Sequence, residues 1–269
     1  MVGRTQEEAA AMGEGSVLVR YVGGPTAVVE IGGVRLLTDP TFDPPGDYPI
    51  GSRKLTKLAG PAFGPDAVGA VDAVLLSHDQ HADNLDHSGR EYLPSAPLVL
   101  STRSAHERLG DLVRALPNWT HVDLPRPDGG ALRITGVPAQ HGPDGTEHLV
   151  GEVTGFVLSG EGLPTVYVSG DNASLDVVRI IAERIGDVDI ALLFAGGAQT
   201  ALLGDAYLTL SSDAAAEAVQ ILGVQQVVPL HFEHWAHFTQ GGDTLVDSFD
   251  RAGLTDRLHL PKPGQRIEL

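Results

Sequence analysis

The chain has 269 residues, enough to bury a full core without staples. It has no cysteine, which excludes a disulfide framework, a thiolate metal site and a cysteine nucleophile. Acidic residues outnumber basic ones, 35 to 18, for a formal charge of −17. That opposes nucleic acid and anionic membranes as partners, because both are bound through Lys and Arg.

Residues 1–15 are small and acidic, without the charged start and apolar run of a signal peptide. A flexible N-terminal segment is expected there, with a helix over Glu7 to Met12, followed by a single domain over 16–269. No apolar run approaches the ~20 residues that span a bilayer, so a cytoplasmic protein is the default expectation.

Val17 to Tyr21, Ala27 to Ile31 and Val34 to Leu37 are rich in β-branched and aliphatic residues. Gly23-Gly24-Pro25 and Gly32-Gly33 separate them, which predicts consecutive hairpins. Thr41 to Val71 reads as a long irregular segment rich in Pro and Gly, of the kind that often carries function. Its basic group, Arg53, Lys54 and Lys57, is read as solvated, with binding of an anionic substrate group as the alternative. Strands are predicted at Ala73 to Leu76, Leu98 to Leu100, Ala131 to Val137, Gly155 to Leu158, Thr165 to Val168, Ile190 to Phe194 and Val227 to Leu230. Short strands are also predicted at Leu258 to Leu260 and at Ile267-Glu268. Helices are predicted at Ser104 to Leu109, Asp176 to Ile185, Ser212 to Leu222 and Gly242 to Ala252. Strands dominate the first half and alternate with helices in the second, which fits one α/β domain of sheets covered by helices.

The segment Ser77 to His87 holds three histidines and three aspartates directly after an apolar run. Imidazole and carboxylate are the usual ligands of Zn²⁺ and other divalent metals. A polar surface loop is the plainer alternative. The same grammar, an apolar strand and then a loop bearing His or Asp, recurs at His141, at Asp171 and at His231 with His234. A turn histidine, a helix cap and a buried histidine explain each one singly; equivalent ends of neighbouring strands would bring all of them to one sheet edge.

In this order and spacing, the chain resembles the metallo-β-lactamase superfamily over about Val17 to Phe238. It is most similar to the branch that includes L-ascorbate-6-phosphate lactonase, through Leu37 to Pro40, Pro138 to Gly142, Ser169 to Asp171 and Pro229 to His231. The resemblance implies a four-layer αββα sandwich. It implies one metal on His78, His81 and His141, a second on Asp83 and His231, and Asp171 as the bridge. The chain departs from the superfamily's His-x-His-x-Asp-His motif. An extra residue separates His78 from His81, and Asn84 stands where the last histidine belongs. An amide is a weaker donor than imidazole, so the second site is expected to be weak, oxygen-rich or empty, unless His234, His87 or His237 replaces the ligand. Asp86 is expected to orient a metal ligand.

One or two divalent ions are therefore expected, Zn first, with Mn or Fe as alternatives. The expected activity is attack of metal-bound hydroxide on an ester, lactone, amide or phosphoester of a small molecule. Asp83 would serve as second-metal ligand or as base, and His234 as proton donor or oxyanion contact. The other readings are a non-catalytic metal-binding module, a phosphodiesterase or nuclease, and an iron redox enzyme. Tyr48, Tyr92 and Trp235 are read as pocket lining or plain core. Oligomeric state stays open, with an isologous dimer as the commonest case.

Overall fold

The structure, a computed structural model, describes residues 15–269. The expected helix over Glu7 to Met12 lies outside them.

Strands β1 (Val17–Gly23), β2 (Thr26–Ile31) and β3 (Val34–Thr38) form an antiparallel meander. Gly32 and Gly33 turn β2 into β3 with φ of 54° and 75°, positive values that a two-residue hairpin turn demands and glycine accepts without strain. Strands β6 (Ala73–Leu75), β7 (Val99–Ser101) and β8 (Arg114–Ala115) add parallel to β3, and β15 (Arg266–Glu268) pairs with β1. The first sheet is thus ordered β15-β1-β2-β3-β6-β7-β8.

The second sheet comprises β9 (His121–Pro125), β10 (Ala131–Pro138), β11 (Thr154–Ser159), β12 (Val166–Val168), β13 (Ile190–Phe194) and β14 (Gln226–Leu230). Its order is β14-β13-β12-β11-β10-β9, antiparallel from β9 to β12 and parallel from β12 to β14.

Alternation along the strands sorts side chains between layers. Val29, Leu36 and Leu75 of the first sheet share one core with Ile134, Phe156 and Leu192 of the second. Val28, Leu37 and Val74 face the other way. They pack with Val68 of α1 (Pro65–Val68), with Leu85 and Leu93 on either side of α2 (His87–Tyr92), and with Ala105 of α3 (Arg103–Leu109). A short α4 (Glu147–Val150) lies between β10 and β11. Apolar residues of α5 (Leu175–Ile185), α6 (Ser212–Leu222) and α7 (Gly242–Arg251) cover the second sheet. The layers are helices, sheet, sheet, helices: the αββα sandwich.

Side-chain caps start three of these helices. Thr102, Ser174 and Ser211 accept the N–H groups of Ala105, Val177 and Ala214. Each such cap contributes about 1 kcal/mol.

Three expectations need correction. The segment from Thr41 to Val71 is not irregular throughout. It holds the hairpin of β4 (Gly46–Ile50) and β5 (Arg53–Lys57), and also α1. Nearly all of the hairpin is at least partly exposed, so it carries no apolar alternation to read. Leu258 to Leu260 is not a strand: one parallel bridge joins Leu258 to Val227, and Pro261 then removes a donor. Lys57 is not solvated. It is 2% exposed, with Nζ 2.8 Å from Asp86 Oδ2, while Lys54 pairs with Asp47 and Arg53 donates to Thr200.

Candidate metal centre

The polar clusters meet where the strands end. His78 and His81 follow β6, His141 follows β10, Asp171 follows β12 and His231 follows β14. Parallel and antiparallel registers deliver these ends to one rim of the sandwich. Fold alone does this, since 153 positions separate His78 from His231.

Three imidazoles form one group. His78 Nε2 lies 2.9 Å from His81 Nδ1, and His141 Nε2 lies 3.3 Å from the same atom. The second nitrogen of His141 is engaged, with Nδ1 2.8 Å from the carbonyl oxygen of Leu208. A proton on Nδ1 donated there leaves Nε2 bare and turned towards its partners. His78 Nδ1 is 3.1 Å from Ser77 Oγ. Burial, and then the neighbouring imidazoles, holds His78 well below its usual pKa and brings His81 down to about 4. His78 and His81 are therefore uncharged near neutrality and offer lone pairs.

Asp83, Asp171 and His231 form the second group. His231 Nε2 is 3.3 Å from Asp83 Oδ2 and 3.4 Å from Asp171 Oδ1. Yet Nε2 is buried without a properly aligned hydrogen bond, and so are His231 Nδ1 and Asp83 Oδ1. Buried polar atoms this close and yet unsatisfied are costly unless something between them completes the set. A cation at their common focus does so, and three imidazoles beside two carboxylates are the donor chemistry of a divalent ion. The residues fit the metal. Burial opposes the His231 imidazolium, but the carboxylates of Asp171 and Asp83 outweigh it and push its pKa up to about 10. Asp171 and Asp83 are held low against burial, Asp171 chiefly by His231 and Asp83 chiefly by His237.

Local backbone geometry supports the arrangement. His231 has φ of 55° and His234 has φ of 76°, unusual for non-glycine residues and of the order of 1 kcal/mol or more each in strain. Gly170, at φ 56°, brings the Asp171 loop so close to Ser77 and Thr154 that an added Cβ would lie 2.6 Å from the Thr154 carbonyl.

The other candidates differ in what they touch. His234 packs its ring against Gly23, where a Cβ would meet it at 2.4 Å, and its Nε2 is 3.6 Å from Glu233. His87 lies beside Tyr48, with ring centroids 5.5 Å apart. His237 is the histidine that reaches the second group, with Nε2 3.0 Å from Asp83 Oδ2. Asp79 turns away to Arg108. Asp86 orients no metal ligand. Its two oxygens accept the N–H groups of Phe42, Asp43 and Gly89 and the Lys57 ammonium, so it organises the loop under the site. Tyr48 lies tilted against Trp235, which is 2% exposed, and Tyr92 packs on Phe42.

Asp39 escaped assignment from sequence, although it also follows an apolar strand. It is buried, has φ of 25°, and accepts the Ser77 N–H through Oδ1. Burial lifts its carboxyl pKa to about 8, with Asp171 adding to the effect and Ser77 opposing it. The Leu208 carbonyl carried no sequence signal at all, because any residue has one.

Residues 34–232 match the model of the beta-lactamase superfamily domain. Fold and site thus define a member of the metallo-β-lactamase superfamily. Within it, the chain belongs to the family of UPF0173 metal-dependent hydrolases. A relative so named from Methanosphaerula palustris is 30% identical over 203 residues, covering 72% of this chain and 83% of the relative. The protein PF1764 of Pyrococcus furiosus, also named a UPF0173 metal-dependent hydrolase, is 24% identical, covering 94% of this chain and all of its own length. In fold, the chain is similar to an isothiocyanate hydrolase from Delia radicum gut bacteria. The TM-score is 0.78 at 20% identity, with 93% of this chain and 98% of that one covered. The protein is a metal-dependent hydrolase.

Proposed function

We propose that the protein hydrolyses an ester, lactone or amide of a small molecule at a divalent metal held by His78, His81, His141 and Asp171, with Asp83 and His231 holding a second ion. A divalent ion there supplies a Lewis acid, which brings the pKa of water to about 7 and polarises the oxygen of the bond to be cleaved. The observation that carries this reading is the buried, unsatisfied His231 Nε2 between two carboxylates, beside three imidazoles with converging nitrogens.

The chain's own groups divide the remaining work. The Leu208 carbonyl holds His141 in the tautomer that leaves Nε2 free. Asp83 Oδ1, buried and without a hydrogen-bond partner, is the acceptor for a proton from attacking water when it is not binding an ion. His234 is uncharged near neutrality, since burial and then Lys57 bring its pKa down to about 4. In this role it donates a neutral N–H to a developing oxyanion rather than acting as a cationic acid.

The all-imidazole group suits Zn²⁺, whereas the carboxylate-rich second group leans to Mn²⁺ or Fe²⁺. The likeness to the lactonase branch favours a lactone within the ester class. A phosphoester is the weaker choice: the basic residues of the neighbouring hairpin are engaged, Lys57 by Asp86, Lys54 by Asp47 and Arg53 by Thr200.

The test strips the protein with chelator, restores Zn²⁺, Mn²⁺ or Fe²⁺, and assays lactones, esters, amides, a phosphodiester and an isothiocyanate. Metal-restored turnover of a carbonyl substrate is expected. Absence of metal-dependent hydrolysis across the panel overturns the proposal.

A further inference from the structure

The second group is short of one nitrogen, because Asn84 stands in place of a histidine and its Nδ2 is engaged as a hydrogen-bond donor. Its Nδ2 is 3.0 Å from Asp171 Oδ1, 3.3 Å from Ser77 Oγ and 3.4 Å from Asp39 Oδ2. The amide thus presents hydrogens, not a lone pair, to the Asp171 carboxylate of the second group. Asn84 clamps Asp171 through Nδ2, which is no donor to a cation; its Oδ1, an oxygen and not the missing nitrogen, is buried without a hydrogen-bond partner.

His237 approaches from the other side. Its Nε2 is 3.0 Å from Asp83 Oδ2, the same oxygen that lies 3.3 Å from His231 Nε2. Two imidazoles therefore flank one carboxylate oxygen, repeating the crowding of lone pairs seen around His81. The His237 Nδ1 is buried and has no hydrogen-bond partner. The ring leans on Phe238, with centroids 4.6 Å apart, and stands edge-on to Trp235 at 6.3 Å.

The backbone around it is tied on both flanks. The Gln199 N–H donates to the His237 carbonyl at 3.1 Å, and the Ala236 N–H donates to the Thr56 carbonyl at 3.0 Å. The second tie joins β5 to this loop, so the hairpin braces the segment that carries His237. Asp83, Asp171 and His231 converge as a set without His237, which touches that set at Asp83.

We propose that His237 supplies the second-site metal ligand that Asn84 does not, so that the histidine missing from the motif is replaced from the loop after β14. The proposal takes its second site from the hydrolase reading above, but it concerns the ligand set alone.

The experiment counts ions. Stripped wild-type protein is titrated with Co²⁺ and Cd²⁺, and bound metal is measured by elemental analysis and by the visible bands of cobalt. Wild type is expected to take two ions per chain. His237→Ala and His237→Phe are expected to take one, or to bind the second at least tenfold more weakly. Phenylalanine keeps the ring volume beside Phe238 and removes the nitrogens, so it serves where alanine unfolds the loop. In the wild-type chain, cadmium bound at the second site should show scalar coupling to a His237 ring nitrogen, a readout that needs no variant. Two ions bound at wild-type affinity in the variants, a single ion in wild type, or no coupling overturns the proposal. Two ions in wild type and one in the variants, with no hydrolysis of any substrate, keeps it and removes the hydrolase reading instead.

Discussion

Asn84 Nδ2 donates to Asp171 Oδ1 at 3.0 Å, joining the residue that departs from the superfamily motif to the carboxylate that faces both donor groups. Outer partners of this kind fix the orientation of a ligand, and their loss weakens metal binding or activity. Asn84→Ala should therefore weaken metal binding or turnover by about tenfold to 100-fold, the range for lost outer-shell partners. Competition with a chromophoric chelator measures it. An unchanged affinity and rate would show that Asp171 needs no clamp.

His141→Ala removes the imidazole that the Leu208 carbonyl orients. The expected result is loss of metal from the three-histidine group and a fall in activity of more than about 100-fold, beyond the range for loss of an outer-shell partner. Elemental analysis beside the assay checks it. Full metal content in this variant would contradict the ligand set.

Lys57 and Asp86 form an ion pair with both side chains no more than 1% exposed. Removing one partner strands a buried charge, at a cost of about 3–5 kcal/mol. Lys57→Ala should lower stability by that order. Asp86→Ala should do so as well, since it also abandons three backbone N–H groups. Urea unfolding gives the value; a change under about 1 kcal/mol would show that the pair is solvated in solution.

The metal-free protein should be acid-sensitive through its histidine group. His81 has a folded pKa of about 4, depressed from 6.5 by burial and by His141. Between those values the unfolded chain binds more protons, so this contribution to stability falls as pH falls. It is complete above pH 6.5 and gone below pH 4. The full loss is about 3 kcal/mol. Asp39, with its carboxyl raised to about 8, acts in the opposite direction over the range from 3.8 to 8. Comparison with His81→Gln isolates the histidine. The stability of wild type relative to the variant should drop by about 3 kcal/mol from pH 6.5 to pH 4 and stay level above, as read by chemical denaturation at each pH. A level difference across the whole range would contradict the depressed value.

Much of the fold could be read locally. The ranges predicted for α6 and β13 are reproduced without change, and α7 ends one residue early at Arg251. Apolar spacing and caps are local signals, and they were strong there. The hairpin β4–β5 was not legible, because both its strands are largely exposed and no alternation marks them. The six-residue α2 was missed for a related reason. Its start depends on the Asp86 carboxylate, whose remaining partners come from Phe42, Asp43 and Lys57, far back in the chain.

The sequence by itself determined the residue types of the site and their positions after strands, because strand ends and polar clusters are local and chemically distinctive. It also exposed the missing histidine at Asn84. Only the tertiary structure decided which neighbours serve which group: Asp86 on Lys57, Asp79 on Arg108, the Leu208 carbonyl on His141 and His237 on Asp83. Such pairings are distances between segments that the two sheets bring together, and a distance across a fold has no counterpart in the spacing of residues along a chain.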